Sequence, residues 1–166
     1  MRKYVNNSTK DKMRLATWNI NSIRLRLPSV ISFVNDNLID IICLQETKTP
    51  DEYFPLDDFK KIGMRYMYFR GEKSYNGVAI LSKIPFSDHN YINWCNKNDT
   101  RHVSIRLKNK IEIHNCYVPA GGDNPDVSQN QKFAHKISFL KEMKNYFSKD
   151  ISTQKILVGD LNIAPL

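Results

Sequence analysis

The sequence predicts an α/β fold, and three observations predict it. The chain opens on a strand–helix–strand succession over residues 14–45. It closes on an amphipathic helix at 132–147 that leads into an apolar strand at 156–159. Between them lie short alternating or continuously apolar runs bounded by turn residues.

The elements follow in order. Residues 1–12 carry Arg2, Lys3, Lys10 and Lys12 against Asp11, show no hydrophobic period, and read as a disordered basic leader ahead of a domain at 13–166. Residues 14–19 alternate as a strand. Residues 27–37 place Val30, Ile31, Phe33 and Val34 behind Pro28, which is tolerated in a first helical turn, so a helix is expected there. Residues 40–45 are apolar in succession, as in a strand covered on both faces, and the strand–helix–strand order implies parallel pairing. Residues 66–69 and 77–82 read as a strand pair around a polar loop at 71–76. Residues 102–107 and 111–118 read as a hairpin turning at Lys108-Asn109-Lys110. A long loop, broken by Pro and Gly near its start, fills 119–131. Phe133, Ile137, Leu140, Met143 and Phe147 then form a helical stripe. Ile156-Leu157-Val158 reads as a buried strand, and Gly159 turns the chain sharply after it.

Bulk properties bound the function. At 166 residues, 41% hydrophobic and 25% charged, the chain is long enough for one packed domain. Its net charge of +8 suits either solubility or a polyanionic partner. Cys43, Cys95 and Cys116 are odd in number and fit no zinc module, which points to a reducing, cytoplasmic setting. No apolar run is long enough for a membrane span, and the leader lacks the apolar core of a secretory signal.

Polar residues gather where apolar strands end. Asn19 and Asn21 follow the first strand, Glu46 follows Ile41-Ile42-Cys43-Leu44-Gln45, Tyr117 ends the hairpin, and Asp160 and Asn162 follow the last strand. Each has an ordinary explanation. Asn19 and Asn21 cap a turn, Glu46 pairs with Lys48, Tyr117 fills a core, or Asp160 and Asn162 make an Asx turn. Together they offer acids, amides and a phenol at the carboxyl ends of strands, where open α/β sheets build their sites. Hard oxygen donors of this kind suit Mg²⁺ or Mn²⁺, and with a basic chain they suggest metal-assisted phosphodiester hydrolysis.

These residues stand in longer motifs: Thr17-Trp18-Asn19-Ile20-Asn21 with Arg24, Leu44-Gln45-Glu46-Thr47-Lys48, and Phe54-Pro55-Leu56. Further along come Tyr75-Asn76-Gly77-Val78-Ala79-Ile80-Leu81-Ser82-Lys83, Tyr117-Val118-Pro119 and Gly159-Asp160-Leu161-Asn162-Ile163-Ala164-Pro165. In this order they resemble the exodeoxyribonuclease III family of apurinic/apyrimidinic endonucleases, within the endonuclease/exonuclease/phosphatase superfamily. The resemblance spans residues 13–166 and implies the N-terminal part of a two-sheet, deoxyribonuclease I-like α/β sandwich with flanking helices.

The resemblance also implies roles. Glu46 and Asn19 would hold Mg²⁺, with Mn²⁺ as the alternative. Asp160 would orient or deprotonate the attacking water and touch a second metal position. Asn162 would hold that aspartate and a phosphate oxygen, and Tyr117 would place its hydroxyl on the scissile phosphate or leaving oxygen. Asn21, Arg24, Lys73 and Arg101 would meet DNA, and Tyr75 would lie in the minor groove. The implied activity is cleavage of double-stranded DNA 5′ to abasic sites, with 3′-to-5′ exonuclease and 3′-phosphatase activity, and no membrane partner.

Two departures accompany it. Ala120 stands where relatives often carry an amide that reaches phosphate. The family also continues past Asp-x-Asn with a further Asn, a further Asp and a closing Ser-Asp-His, for which His89, His102, His114 and His135 lie in the wrong context. The chain is therefore expected to be an incomplete domain, inactive alone, with one sheet face left in water. Two alternatives stay open: a truncated product that binds metal or DNA without chemistry, and a phosphoinositide phosphatase of the same superfamily.

Overall fold

A computed structural model of the chain describes residues 12–149 and 152–163. Of the expected leader, residues 1–11 lie outside these, as do Ala164 and Pro165 of the last motif and Leu166 after it. Ile41, Ile42, Cys43, Leu44 and Gln45 form a strand buried at every position, so its neighbours must cover both faces. That requirement organises the molecule. Strands β1 (Leu15–Asn19), β2 (Ile41–Gln45), β3 (Tyr66–Glu72) and β4 (Tyr75–Ser82) form one four-stranded sheet in the order β1-β2-β4-β3. Strands β5 (Phe86–Asn90), β6 (His102–Leu107), β7 (Glu112–Tyr117) and β8 (Lys155–Asp160) form the second, in the order β5-β6-β7-β8. β1 pairs parallel to β2 through helix α1 (Ile23–Asp36), as the strand–helix–strand order predicts. β7 pairs parallel to β8 through helix α3 (Gln131–Lys149).

The sheets stack face to face. Ile41, Cys43, Val78 and Ile80 of the first meet Val103, Ile105, Leu107 and Ile113 of the second in one buried layer. Outside the first sheet, Ile42, Leu44, Ala79 and Leu81 pack under α1 and the short helix α2 (Leu56–Lys61), with Val30, Val34, Phe59 and Met64. Outside the second, Cys116 and Val118 pack with Trp94, Phe139 and Met143, the last two from α3. The expectation of an uncovered sheet face is thereby corrected, because the two sheets cover each other within this chain. The apolar surface left open lies on β8, an edge strand rather than a buried one. Leu157 is 40% exposed, and Leu161 and Ile163 beyond it are exposed too. No helix among the described residues is long and apolar enough to cross a membrane.

Local boundaries differ where tertiary bonds override sequence. α1 starts at Ile23, so Pro28 sits inside it rather than in its first turn. Ser22 and Ile23 donate their N–H groups to the carbonyls of Glu46 and Thr47, at 2.7 and 2.9 Å. The helix start is thus fixed by the loop after β2. Strands β3 and β4 run further than expected and shrink the loop between them to Lys73 and Ser74. Gly159 does not turn the chain. It pairs with Cys116 inside β8 at φ +139°, and a Cβ there would stand 1.9 Å from the Cys116 carbonyl oxygen.

A buried amide pair ties the sheets together. Asn115 of β7 donates through Nδ2 to the carbonyls of Leu44 and Ala79, 2.9 Å each. Its Oδ1 accepts from Gln45 Nε2 at 2.6 Å, and the same nitrogen contacts Thr17 Oγ1 at 3.0 Å. On the opposite face of β7, the Ile92 N–H donates to His102 Nδ1 at 3.0 Å, which puts the His102 proton on Nε2. That Nε2 lies 3.1 Å from His114 Nδ1, and His114 Nε2 lies 3.3 Å from Glu112 Oε2. The chain of bonds holds with both rings neutral, and protonating either places two donors face to face.

Two predictions follow from these buried groups. Replacing Asn115 with Leu removes the bonds to two buried carbonyls and the shortest bond of the Gln45 amide, a loss of about 3 kcal/mol by chemical denaturation. The second concerns pH. Burial, then His114 and Arg70, push His102 down to about 3, and burial pushes His114 down against the pull of Glu112. Both pKa values are depressed on folding, so the unfolded chain takes up protons first as pH falls below about 6.5. Thermal stability should hold above neutrality and decline between roughly pH 6.5 and 4.5, before the carboxylates begin to titrate. His102→Gln should flatten that decline.

Candidate active site

The carboxyl ends of β1, β2, β7 and β8 meet at one end of the sandwich. β2 delivers Glu46 immediately after Gln45. The segment carrying it is held from both sides: by the Ser22 and Ile23 bonds described above, and by Thr47 and Lys48 donating to the carbonyls of Gly77 and Asn76. Held this way, Glu46 and Lys48 adopt left-handed backbone at φ +55° and +49°, as do Asn21 at +44°, Asn76 at +40° and Asn162 at +50°. Such residues cost of order 1 kcal/mol each and persist where surrounding structure dictates them.

The side chains form one hydrogen-bonded cluster. Asn19 Nδ2 donates to Glu46 Oε1 and to Asp160 Oδ2, 2.8 Å each. The Tyr117 hydroxyl donates to Glu46 Oε1 at 2.9 Å. Lys48 Nζ lies 2.8 Å from Glu46 Oε2 and 2.5 Å from Asn21 Oδ1. The Asn162 N–H donates to Asp160 Oδ1 at 3.0 Å, and Asn162 Nδ2 to the Val118 carbonyl at 2.8 Å. The ordinary readings of these residues hold alongside convergence: Glu46 pairs with Lys48, and Asp160 and Asn162 make an Asx turn. Sequence separation is no obstacle, since Asn19 and Asp160 touch across 141 positions.

The cluster sets the protonation of its members. Burial alone would raise Glu46, but bonds from Asn19, Lys48 and Tyr117 outweigh it and hold the carboxyl below its usual range. Burial, reinforced by the bond to Glu46, pushes the Tyr117 phenol up to about 12, so it remains a proton donor at neutral pH.

The expected DNA contacts divide. Asn21, Arg24, Lys73 and Tyr75 are exposed on the same loops and helix start. Arg101 is 7% exposed, and its Nε, Nη1 and Nη2 each make an internal bond. Nε bonds Asp99 at 2.8 Å, Nη1 the Tyr117 carbonyl at 3.3 Å, and Nη2 the Tyr75 hydroxyl at 3.3 Å. Its guanidinium lies 4.7 Å from the Tyr117 ring centroid. This geometry makes Arg101 a brace between two tyrosines. Lys136 was not anticipated. Its Nζ donates to the carbonyls of Asn162 at 2.5 Å and Ala120 at 3.1 Å, joining α3 to both strand-end loops. Lys136 falls within the apolar stripe, three residues after Phe133 and four before Leu140, and a lysine at such an inward position was the available signal. Asn115 likewise stood visible as a lone amide in a buried strand.

Residues 16–166 match the family described as Endonuclease/Exonuclease/phosphatase. The chain is 27% identical over 163 residues to exodeoxyribonuclease III of Haemophilus influenzae, covering 92% of this chain and 58% of that protein. It is also 27% identical over 168 residues to an exodeoxyribonuclease of Bacillus subtilis, covering 92% and 59%. Among solved structures it superposes on an AP endonuclease from Archaeoglobus fulgidus with a TM-score of 0.83 and 34% identity, covering 93% of this chain and 59% of that one. A 3′ phosphatase from Neisseria bound to a product DNA hairpin gives 0.82 and 28%, covering 93% and 60%. The chain thus spans somewhat under two thirds of the length of these relatives. The match begins in the first strand and takes in both sheets and every strand end of the cluster, and on it the chain belongs to the Endonuclease/Exonuclease/phosphatase family.

Proposed function

We propose that this chain carries the phosphate-binding and part of the metal-binding machinery of a DNA-repair phosphodiesterase. It cuts 5′ to abasic sites and also trims 3′ ends. The observation that carries this reading is the convergence of Asn19, Glu46, Tyr117 and Asp160 in one hydrogen-bonded cluster. The exodeoxyribonuclease and AP endonuclease relatives point to the same substrate class.

The donor set fits a hard cation. Among the described residues no three of His, Cys, Asp or Glu gather as a metal nest. Two carboxylates, Glu46 and Asp160, do face one amide, Asn19, and turning that amide exchanges its nitrogen for its oxygen. Glu46, Asn19 and Asp160 would hold Mg²⁺, or Mn²⁺, with Asn162 beside them. The ion supplies charge neutralisation at the phosphate. The chain's own residues supply the rest. Asp160, oriented by Asn19 and Asn162, accepts a proton from water as the water oxygen bonds phosphorus and the bond to the leaving sugar oxygen breaks. Tyr117 keeps its proton and donates a hydrogen bond to the phosphate or leaving oxygen. Asn162 holds Asp160 and a phosphate oxygen. Asn21, Arg24, Lys73 and Tyr75 line the approach of the duplex, and Arg101 keeps Tyr75 and Tyr117 in register.

A binding-only reading also has an observation in its favour. Lys48 already neutralises Glu46 from 2.8 Å, so one of the two carboxylates has a cation without a metal. Kinetics separate the two. Under the hydrolytic reading, in a chain extended to the length of its relatives, Asp160→Asn should cut turnover on an abasic-site duplex by orders of magnitude and leave affinity nearly intact. Glu46→Gln should raise the Mg²⁺ concentration needed for half-maximal rate. Absence of Mg²⁺-dependent cleavage by that extended chain, with duplex binding retained, would favour binding alone.

A further inference from the structure

Lys136 stands in a position that solubility does not explain. It falls on the inward side of α3 between Phe133 and Leu140, and it is half-buried. A long charged side chain in such a place loses hydration and rotamer freedom, so its partners must offset both. Those partners are two main-chain carbonyls, Asn162 at 2.5 Å and Ala120 at 3.1 Å. The path of the stem is prepared as well. Gly121 lies against it at φ +92°, and a Cβ there would stand 2.8 Å from Lys136 Cδ. The bare glycine lets the stem lie flat along the loop after β7 on its way to the loop after β8.

The carbonyl it reaches belongs to the residue that aims Asp160. Each Asp160 carboxylate oxygen is held by a donor: Oδ2 by Asn19 Nδ2 at 2.8 Å, and Oδ1 by the Asn162 N–H at 3.0 Å. Asn19 is seated in β1, but Asn162 lies beyond the end of β8. Its backbone is left-handed at φ +50°, a conformation that an L residue keeps only where its surroundings dictate it. Those surroundings are its N–H bond to Asp160, its Nδ2 bond to the Val118 carbonyl at 2.8 Å, and the bond from Lys136 to its own carbonyl. Without the last, the backbone at Asn162 is free to relax toward the ordinary region, which turns its N–H away from Oδ1. The carboxylate then keeps one tether and rotates about its terminal bond.

We propose that Lys136 is a positioning residue for Asp160: its ammonium fixes the Asn162 carbonyl, and through Asn162 it fixes the Oδ1 side of the carboxylate. It acts through Asn162 rather than on the reacting atoms. The same ammonium holds Ala120, so the loop that follows Tyr117 and the loop that follows Asp160 keep one spacing. The effect of Lys136 on turnover rests on the nuclease reading above, whereas its effect on the Asn162–Asp160 contact does not.

Two measurements test it. The first uses this chain without DNA or metal and follows amide hydrogen exchange by NMR. The Asn162 N–H should be protected in the parent, exchange about tenfold faster or more in Lys136→Met, and stay close to the parent in Lys136→Arg. Lys141→Met, at an exposed lysine of the same helix, should leave it unchanged. The side-chain amide resonances of the buried Gln45 and Asn115 should hold their places in every variant. An Asn162 N–H that is unprotected in the parent, or that Lys136→Met leaves protected, overturns the proposal. So does a Lys136→Met chain in which Gln45 and Asn115 are disturbed as much as Asn162, since Lys136 would then serve general cohesion. The second measurement is a double-mutant cycle on turnover, in a chain extended to the length of its relatives. Alone, Lys136→Met should lower kcat on an abasic-site duplex about tenfold or more with KM nearly unchanged, and Lys136→Arg should restore most of it. In an Asp160→Asn background no carboxylate is left to aim, and Lys136→Met should cost at most about twofold further. Losses that multiply in full overturn the proposal. If the extended parent cleaves no abasic-site duplex while the exchange result holds, the nuclease reading falls and the positioning contact stands.

Discussion

The geometry of the whole molecule hangs on the Gln45–Asn115 contact. Two sheets stacked through side chains alone can slide, because apolar packing is non-directional. A pair of amides with fixed donors and acceptors cannot slide without leaving buried polar atoms unpaired. Asn115 reaches from β7 to the carbonyls of β2 and β4, and Gln45 reaches back from β2. Glu46 is the residue after Gln45, and Tyr117 lies two beyond Asn115 on the same face of its strand. The pin that registers the sheets thus stands one layer beneath the Glu46–Tyr117 hydrogen bond.

Above that pin the site is built as much from backbone as from side chains. The segment around Glu46 and Lys48 gives up strand geometry for left-handed conformations, and main-chain bonds to residues 20–23 and 76–77 hold it there. Those bonds also start α1 and end the pairing of β2 with β4. The cations of the region are similarly invested. Lys48 faces Glu46, Arg101 braces two tyrosines, and Lys136 gathers the loops after β7 and β8. Charge that sequence composition suggests is free for a polyanion is partly consumed in holding the site open. What remains for a ligand is displaced to the exposed positions around it.

Sequence legibility followed this division. Strands with buried, apolar runs such as Ile41–Gln45 were readable, because periodicity reports burial. The convergence of Asn19, Glu46, Tyr117 and Asp160 was readable from strand ends, because parallel and antiparallel pairing bring those ends together at one edge. β5 was not readable: Phe-Ser-Asp-His-Asn has no alternation and is a strand because β6 pairs with it along an exposed edge. The six-residue helix α2 buries Phe59 and little else, too short for a helical period to show. The first turns of α1 were missed because their donors are satisfied by the loop after β2, a contact no local rule contains. The commitment of Arg101 was missed for a like reason, since a basic residue near a site reads as a ligand contact until its partners are seen.

Asp160 rides on an edge strand of the second sheet. Among the described residues β8 has a strand neighbour on one side, and Leu157 and, beyond the strand, Leu161 remain partly in water. Edge strands of this kind are where local opening begins. Three bonds oppose it at the strand's end: Val118 N–H to the Asp160 carbonyl, Asn162 N–H to Oδ1, and Asn19 Nδ2 to Oδ2. The last crosses from the edge strand of the other sheet and also engages Glu46. Each carboxylate is therefore held by a group that the other also holds, so loosening one frees the shared amide and weakens both. The arrangement that orients the Asp160 carboxylate is the same one that fastens the end of this edge strand. Orientation of that carboxylate and cohesion at the strand's end rise and fall together.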